Sequence, residues 1–531
     1  MSLSIDLEIF GNVLSGIAEE MGVRLQRSAY SPNIKERLDF SCALFDRQGR
    51  LTAQAAHIPV HLGSMPMLVK GIVEKLTFTP GDVLISNDPF SGGTHLPDIT
   101  LIEPLFAGER LWGFAAARAH HSDVGGITPG SMPLSTSIYQ EGIIIPPLFL
   151  RKGGVPNSGL MELITRNTRT PAERAGDIRA QEAALATARE RVAWMTETYG
   201  FDNSLALLEE LLSYSERLTR TALGHLPSGT ASAVDFMEED GTGEPIPIRV
   251  MVNLAADNAT VDFSGTSPQM ENSLNAPLPV TLASVYYVFR CLLGDHIPAN
   301  DGCFRPIQVR APFGSIVNAS SPSAVAAGNV ETSQRIVDTL LLALSKIMPG
   351  LIPAASCGTM NNVTIGGRGG PAGKGFAYYE TIGGGMGAGS AFPGLSAVHT
   401  HMTNTLNTPV EALESAFPFL VSRYGIRRGS GGAGRHRGGD GIIREYLFNA
   451  SCHVTIISGR RKTAPYGLEG GEGGRPGVNR HFVNATGEMK NLGGRASVDV
   501  GQGDRIIIET PGGGGWGGTE DGPGLTASKA P

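Results

Sequence analysis

Apolar residues recur at helical spacing near the start of the chain. Ile9, Val13, Ile17, Met21 and Leu25 share one face, which predicts an amphipathic helix over residues 5–29, ended by Ser31-Pro32. Residues 38–51 (LDFSCALFDRQGRL) read as strand with a D-x-x-G turn, residues 58–76 as a second helix, and VLIS after Gly81-Asp82 as a strand. Between 87 and 130, polar Gly/Pro-rich loops alternate with short strands at 99–106 and 111–117. Such scaffolded loops are where function tends to sit.

The pattern then changes period. Thr170-Pro171 opens a proline-free helix rich in Ala, Glu and Arg over 172–199, and Asn203-Ser204 caps another to about 223. The short loop at Gly200 makes these an antiparallel hairpin, a packing or assembly element. Residues 229–265 alternate (ASAVDF, IPIRVMVNL, ATVDFSG), predicting antiparallel strands; helices follow at 276–293 and 330–348, with a strand at 307–317 between them. Beyond 350 the text is Gly-rich strand and loop without a fixed-period repeat: TIGGGMGAG, RRGSGGAGRHRGGDG, EGGEGGRPG, TPGGGGWGG.

These elements predict an α+β chain, large, turn-rich and multidomain, with mixed and antiparallel sheets and a long helical hairpin. The expected divisions are an α/β region with the candidate site (1–169), the hairpin (170–225), a second α/β region (226–350), a Gly-rich β region (351–518) and a disordered tail (519–531). At 531 residues, one ordinary hydrophobic core does not suffice.

Composition removes several function classes. Net charge is −7, from 43 Lys+Arg against 50 Asp+Glu, so the basic surface of a nucleic-acid binder is absent. No apolar run is long enough to span a membrane, and the first residues carry acids where a secretory leader carries positive charge; a cytoplasmic protein is expected. Five scattered cysteines, none in a C-x-x-C, read as buried thiols. With 71 glycines, low charge and interleaved apolar residues, the chain reads as a turn-rich oligomer whose surface is partly buried against other subunits.

Nucleotide and hydrolase signatures are missing. GGRGGPAGKGF near Lys374 fails the phosphate-loop pattern twice, with Arg368 in place of the first Gly and Gly375 in place of Ser/Thr. There is no G-x-S-x-G and no H-E-x-x-H. What remains is a run of His and Asp: His95 and Asp98 in THLPD, then His120-His121-Ser122-Asp123 in AHHSD, with Asp39 upstream. Two imidazoles and a carboxylate in mixed N/O ligation suit Zn, Mn or Fe(II). The same residues can instead hydrogen-bond loop backbones. Arg118 reads as a carboxylate or phosphate clamp or a structural ion pair, and Glu331 and Arg335 as an i,i+4 pair. His399 and His401 alternate as a second metal option, and the 427–437 Arg/Gly stretch is an anion or subunit-contact loop.

NDPFSGGTHLPDITLIEPLF, ARAHHSDVGGITPGSMPLSTSIYQEGIIIPPLFL, AGNVETSQRIVD and TPGGGGWG resemble, in order, the hydantoinase B/oxoprolinase family. The resemblance implies the B subunit of an ATP-dependent cyclic-amide hydrolase opening a hydantoin, 5-oxoproline or lactam ring. It further implies a hydantoinase A-like ATPase partner that binds ATP with Mg and phosphorylates the amide oxygen, in a hetero-oligomer. The family's divalent metal site carries over onto Asp39, His95, Asp98 and His120. His121 or Asp123 is the expected general base, with His121 alternatively orienting His120. A subunit of an acetone- or acetophenone-type carboxylase, or a non-catalytic scaffold for the A subunit, is the alternative.

Overall fold

A computed structural model describes residues 2–55, 58–61, 63–238, 244–368 and 375–518. The tail at 519–531 and most of the glycine loop before Lys374 lie outside the described residues. The α+β class holds: helices and strands are both abundant, and among the described residues none of the four sheets closes into a barrel.

The first sheet is seven-stranded, in the order β2-β1-β5-β4-β3-β6-β7. Its strands are β1 (Phe40–Asp46), β2 (Leu51–Gln54), β3 (Val83–Ser86), β4 (Asp98–Ala107), β5 (Arg110–His120), β6 (Leu148–Lys152) and β7 (Val155–Pro156). The alternation of a strand splits its side chains between two cores. Cys42, Leu44, Leu101, Ala115, Ala117 and Ala119 face the first helix (Ser2–Ser28) and the hairpin of Pro171–Tyr199 and Phe201–Gly224. Ala43, Phe45, Ile102, Phe114 and Ala116 face the opposite core, built with the helices Ser64–Val73, Leu278–Leu293 and Ser333–Ile347. That second core also takes the inner face of a four-stranded sheet, β11-β10-β9-β8, from β8 (Gly229–Met237), β9 (Ile246–Leu254), β10 (Ala259–Asp262) and β11 (Ile307–Arg310). It extends without a break to Tyr379 and Ile457.

The C-terminal third contributes two further sheets, β13-β12-β16-β19 and β14-β15-β20-β17-β18. They comprise β12 (Asn362–Gly367), β13 (Phe376–Glu380), β14 (Phe419–Arg427), β15 (Gly441–Phe448), β16 (Cys452–Ile457), β17 (Val478–Val483), β18 (Glu488–Asn491), β19 (Arg495–Val500) and β20 (Arg505–Glu509). Their apolar faces share a third core around Ile365, Tyr378, Phe419, Tyr446 and Ile508. Within it the buried Arg444 guanidinium lies 2.9 Å from Glu380, so neither charge is left alone in the interior.

Several expectations need correction. On the first helix Ile9 is 49% exposed, and the buried stripe is Leu7, Phe10, Leu14, Ile17, Met21 and Leu25. The 58–76 helix is a 3₁₀ turn at Pro59–His61 followed by Ser64–Val73. The break coincides with Gly63, where a Cβ would clash with the backbone at Ala283, so the two segments cross a neighbouring helix at close range. The 307–317 strand stops at Arg310, ahead of Pro312. The 87–130 region is less loop than expected, because β4 and β5 run ten and eleven residues. Cys291 is exposed, unlike the other cysteines.

The glycines, too, do something other than turn. Around 384–394, 430–441, 465–474 and 511–517 extended segments bond backbone to backbone, as in Gly439 N→Met386 O, Gly513 N→Gly439 O and Ala388 N→Gly514 O, each 2.9 Å. A Cβ on Gly439, Gly513 or Gly514 would come within 1.9–2.1 Å of a neighbouring carbonyl oxygen, far inside van der Waals contact. Only a hydrogen fits, and the 427–437 stretch is part of this packed layer: Arg427 donates to Pro476 O at 2.8 Å and pairs with Glu509 at 3.1 Å. Gly513→Ala is therefore expected to cost about 1–3 kcal/mol through overpacking. Gly425→Ala, with nothing within 4 Å of the added methyl, should stay within about 0.5 kcal/mol of wild type. Comparing the denaturation midpoints of the two variants checks this.

Candidate metal centre

Asp98 opens β4 and His120 closes β5, and the two are register partners in the antiparallel ladder. Both project to the second-core face, with Thr100, Ile102, Ala116 and Arg118. Their side chains meet at 3.1 Å, His120 Nδ1 to Asp98 Oδ1. His95 arrives from the loop before β4, Nε2 3.2 Å from the same oxygen and 3.2 Å from His120 Nδ1. That loop is fixed from outside: Asn87 donates its amide to Leu96 O at 2.8 Å and Ile143 O at 3.0 Å, while Asp88 accepts from Phe90 N.

Three lone-pair atoms thus form a triangle with edges of 3.1–3.2 Å. Donors bound at about 2.0–2.2 Å to one cation stand about this far apart. Among the described residues no other three His, Cys, Asp or Glu side chains gather so closely. His120 Nε2 and Asn329 Oδ1 are buried without a partner, and Asn329 Nδ2 lies 3.1 Å from His95 Nε2. Two imidazoles and a carboxylate, with unsatisfied polar atoms around them, fit a borderline divalent ion such as Zn, Mn or Fe(II).

The electrostatics are those of a buried anion held by its neighbours. Burial alone would raise Asp98, but His95 and His61 hold its carboxyl well below the usual range. Asp98 outweighs burial at His95 and raises it, whereas burial pulls His120 down. Asp98 Oδ2 is held separately, by Thr94 Oγ1 and by His61 Nε2 at 3.3 Å; His61 in turn sits 2.9 Å from Ser41 Oγ.

Asp39, His61, Asp98 and His120 border one small cavity of about 20 Å³, room for a single water-sized occupant. Its far walls come from Asn329, Met360 and Tyr379. Asp39 stands at the head of β1 after Leu38, whose φ of 58° is unusual for a branched residue, and Arg37 lies 3.6 Å from its carboxylate. Tyr379 stacks on His120, centroids 4.4 Å apart, and its hydroxyl donates to Asn362 at 2.8 Å.

The structure gathers His95, Asp98 and His120, with Asp39 outside that triangle on the wall of the adjoining cavity; His121 and Asp123 lie elsewhere. Adjacent residues of an extended strand face opposite sides, so His121 points to the helical hairpin, where Nε2 meets Gln181 Oε1 at 3.0 Å. Burial, reinforced by Arg174, pushes it down to about 3. Asp123 is a loop staple: it accepts from the Gly125, Gly130 and Arg169 amides and pairs with Arg169 Nη1 at 3.0 Å. Neither lines the cavity.

Other expectations shift as well. Arg118 is fully buried and donates to Thr100 Oγ1 at 2.7 Å and to Ser64 Oγ, with the Asp98 carboxylate acting on it electrostatically, so it braces the strand beneath the site. Glu331 and Arg335 diverge. Glu331 accepts from Thr359, Met360 N and Asn362, and Arg335 reaches Asp235 at 3.3 Å. The turn at Gly328–Thr332 is a π-helix, which breaks the i,i+4 geometry the pairing assumed. His399 and His401 line a separate pocket. His61, Asn329 and Tyr379 were missed by sequence reasoning; of these only Asn329 lay in a singled-out motif, AGNVETSQR.

The likeness to known proteins runs along almost the whole chain. The hydantoinase B/oxoprolinase family model matches residues 4–519. The chain is 40% identical to 5-oxoprolinase 1 of Arabidopsis thaliana, over 97% of this chain but 42% of that protein, so it spans about two fifths of that relative's length. It is 33% identical to a Pseudomonas protein named for the B subunit of a D-/L-hydantoinase, covering 97% and 90% of the two chains. Among solved structures, the ATP-dependent caprolactamase of Pseudomonas jessenii superposes with a TM-score of 0.90 at 26% identity, covering 97% of this chain and 91% of that one. An acetone carboxylase chain shares the fold, TM-score 0.89 at 18% identity over 96% and 76%. Matched from residue 4 to residue 519, the chain belongs to the hydantoinase B/oxoprolinase family.

Proposed function

We propose that the chain is the B subunit of an ATP-dependent cyclic-amide hydrolase that opens a hydantoin, 5-oxoproline or lactam ring after an A-like ATPase partner, using ATP and Mg, has phosphorylated the amide oxygen. The observation that carries this reading is the buried triangle of His95 Nε2, Asp98 Oδ1 and His120 Nδ1. Family membership and the caprolactamase likeness support the reaction class. The missing phosphate loop supports ATP binding on the partner.

In this reading His95, Asp98 and His120 hold a divalent Zn, Mn or Fe ion, and Asp39 completes the donor set from the cavity wall. Such an ion, when bound, polarises a carbonyl or phosphoryl oxygen and lowers the pKa of water toward ~7. The chain's own residues prepare the place. Thr94 and His61 fix the second oxygen of Asp98, so its first oxygen keeps one direction. Tyr379, anchored by Asn362, holds the His120 ring by stacking. Ile58, Val330, Met360 and Met402 line the cavity with apolar surface, which lowers the local dielectric and strengthens each charge there. His121 and Asp123 do not reach this space, so the general-base role passes from them.

The purified chain is expected to carry about one divalent ion, which His95→Ala and Asp98→Ala lose by elemental analysis. With the A partner and ATP, ring opening by these variants should fall at least ~100-fold. Metal content and turnover unchanged in both would leave the scaffold reading instead. Asp123→Ala should lower stability by about 1–3 kcal/mol, since it strands Arg169 and three backbone donors, while leaving metal content at the wild-type level. Loss of metal in that variant would return Asp123 to the site.

A further inference from the structure

Both nitrogens of the His95 ring are engaged. Nε2 belongs to the triangle, and Nδ1 lies 3.3 Å from the backbone carbonyl oxygen of Ala326. A carbonyl oxygen only accepts, so Nδ1 carries the hydrogen. The lone pair of the neutral ring is then left on Nε2, facing Asp98 and His120. His120 has no such support: its Nε2 is buried without a hydrogen bond, and stacking on Tyr379 holds its ring. The aim of His95 therefore depends on where the Ala326 carbonyl points.

That carbonyl sits in a stretch pinned from two sides. On one side is Glu141, fully buried at the end of the turn Ile138–Gln140. A single oxygen, Oε1, accepts from Val325 N at 2.9 Å, Ala326 N at 3.0 Å and Ser135 Oγ at 2.7 Å. Two consecutive amides turned onto one carboxylate oxygen fix the backbone leading into Ala326. On the other side, Ser273 O accepts from Ala327 N at 2.9 Å and Gly328 N at 3.0 Å, and Asn275 donates its amide to Ala324 O at 3.0 Å. The peptide that bears the Ala326 carbonyl is thus held at both ends. The turn carrying Glu141 is tied to the same stretch through Ile138 N, which donates to Pro322 O at 3.1 Å. Two motif segments, STSIYQEG and AGNVET, meet here behind His95.

Resting on the metal reading above, we infer that Glu141 is a positioning residue for the metal site: through the Val325–Ala326 backbone it holds His95 in the tautomer and orientation that offer Nε2 to the ion. Glu141 does not line the cavity, so its effect travels through that backbone. The role requires an accepting oxygen at Oε1, not a charge. All three donors fall on Oε1, Oε2 is buried without a partner, and burial pushes the acid up to about 7. Glutamine keeps an acceptor in the same shape. Aspartate is one methylene too short to reach the two amides, and leucine strands them.

The test is the Zn(II) affinity of the full-length chain, measured by competition with a chromophoric chelator, beside its thermal midpoint. Glu141→Leu should weaken Zn(II) binding at least ~10-fold and Glu141→Asp several-fold, while Glu141→Gln stays within about twofold of wild type. Asp123→Ala is the control for lost stability, because Asp123 staples a neighbouring loop and bonds to none of the residues that aim His95. It should lower the midpoint and keep the wild-type affinity. Wild-type affinity in Glu141→Leu, or in Glu141→Asp if the leucine variant does not fold, would overturn the inference. So would Glu141→Gln weakening as far as Glu141→Leu, or Asp123→Ala losing affinity in step with its midpoint. Each of these leaves the metal reading standing; a wild-type chain that binds no Zn(II) sinks that reading and this inference together.

Discussion

A carboxylate buried among imidazoles is the constraint on which the rest of the arrangement depends. Asp98 is 1% exposed, and an isolated anion at that depth would be prohibitively costly. Its cost is offset only because His95, His61, His120 and Thr94 all turn toward it. Each of these has to be aimed. The β4–β5 ladder aims His120, the Asn87-clamped loop aims His95, and Ser41 on β1 aims His61. The sheet is therefore more than a scaffold beneath the site, because its register decides which donors converge.

The same site is closed by residues far away in sequence. Arg37, two residues before Asp39, donates to Tyr379 O at 3.2 Å and to Thr381 Oγ1 at 2.9 Å. Tyr379 and Asn329 then form walls of the cavity. This requires the C-terminal third to approach the first sheet closely; within that third, the glycine layer packs its own segments at backbone-to-backbone distance. Side chains in the layer would push those segments apart.

Assembly from parts far apart in the chain explains what could be read in the sequence. Local signals were legible: the alternation of IPIRVMVNL became β9, and the proline-free run after Thr170 became a 29-residue helix. THLPD and AHH marked the cluster, since ladder partners lie close to strand ends that the sequence delimits. His121 was misassigned against a rule the sequence already contained, because neighbours on a strand cannot share a face. His61 and Tyr379 carried no such signal. They join the site only through tertiary contact, and nothing in HIPVH or FAYYE announces it. Glycine-rich text signals tight turns and close backbone approach, and the four in a row at 512–515 serve the second.

The division between a small, charged cavity and a larger pocket without charged lining has a physical logic of its own. Charged donors gain most where water is excluded, which argues for a metal cavity no larger than its occupant. Thr403 borders both spaces, and Pro59 lines the pocket between the cavity residues Ile58 and Val60. The wall segment carries the strained His401, and it continues through Thr405 to Leu406, whose amide donates to Arg37 O at 3.0 Å. Pocket and metal cavity are therefore braced by one stretch of chain, so a displacement on one side is felt on the other.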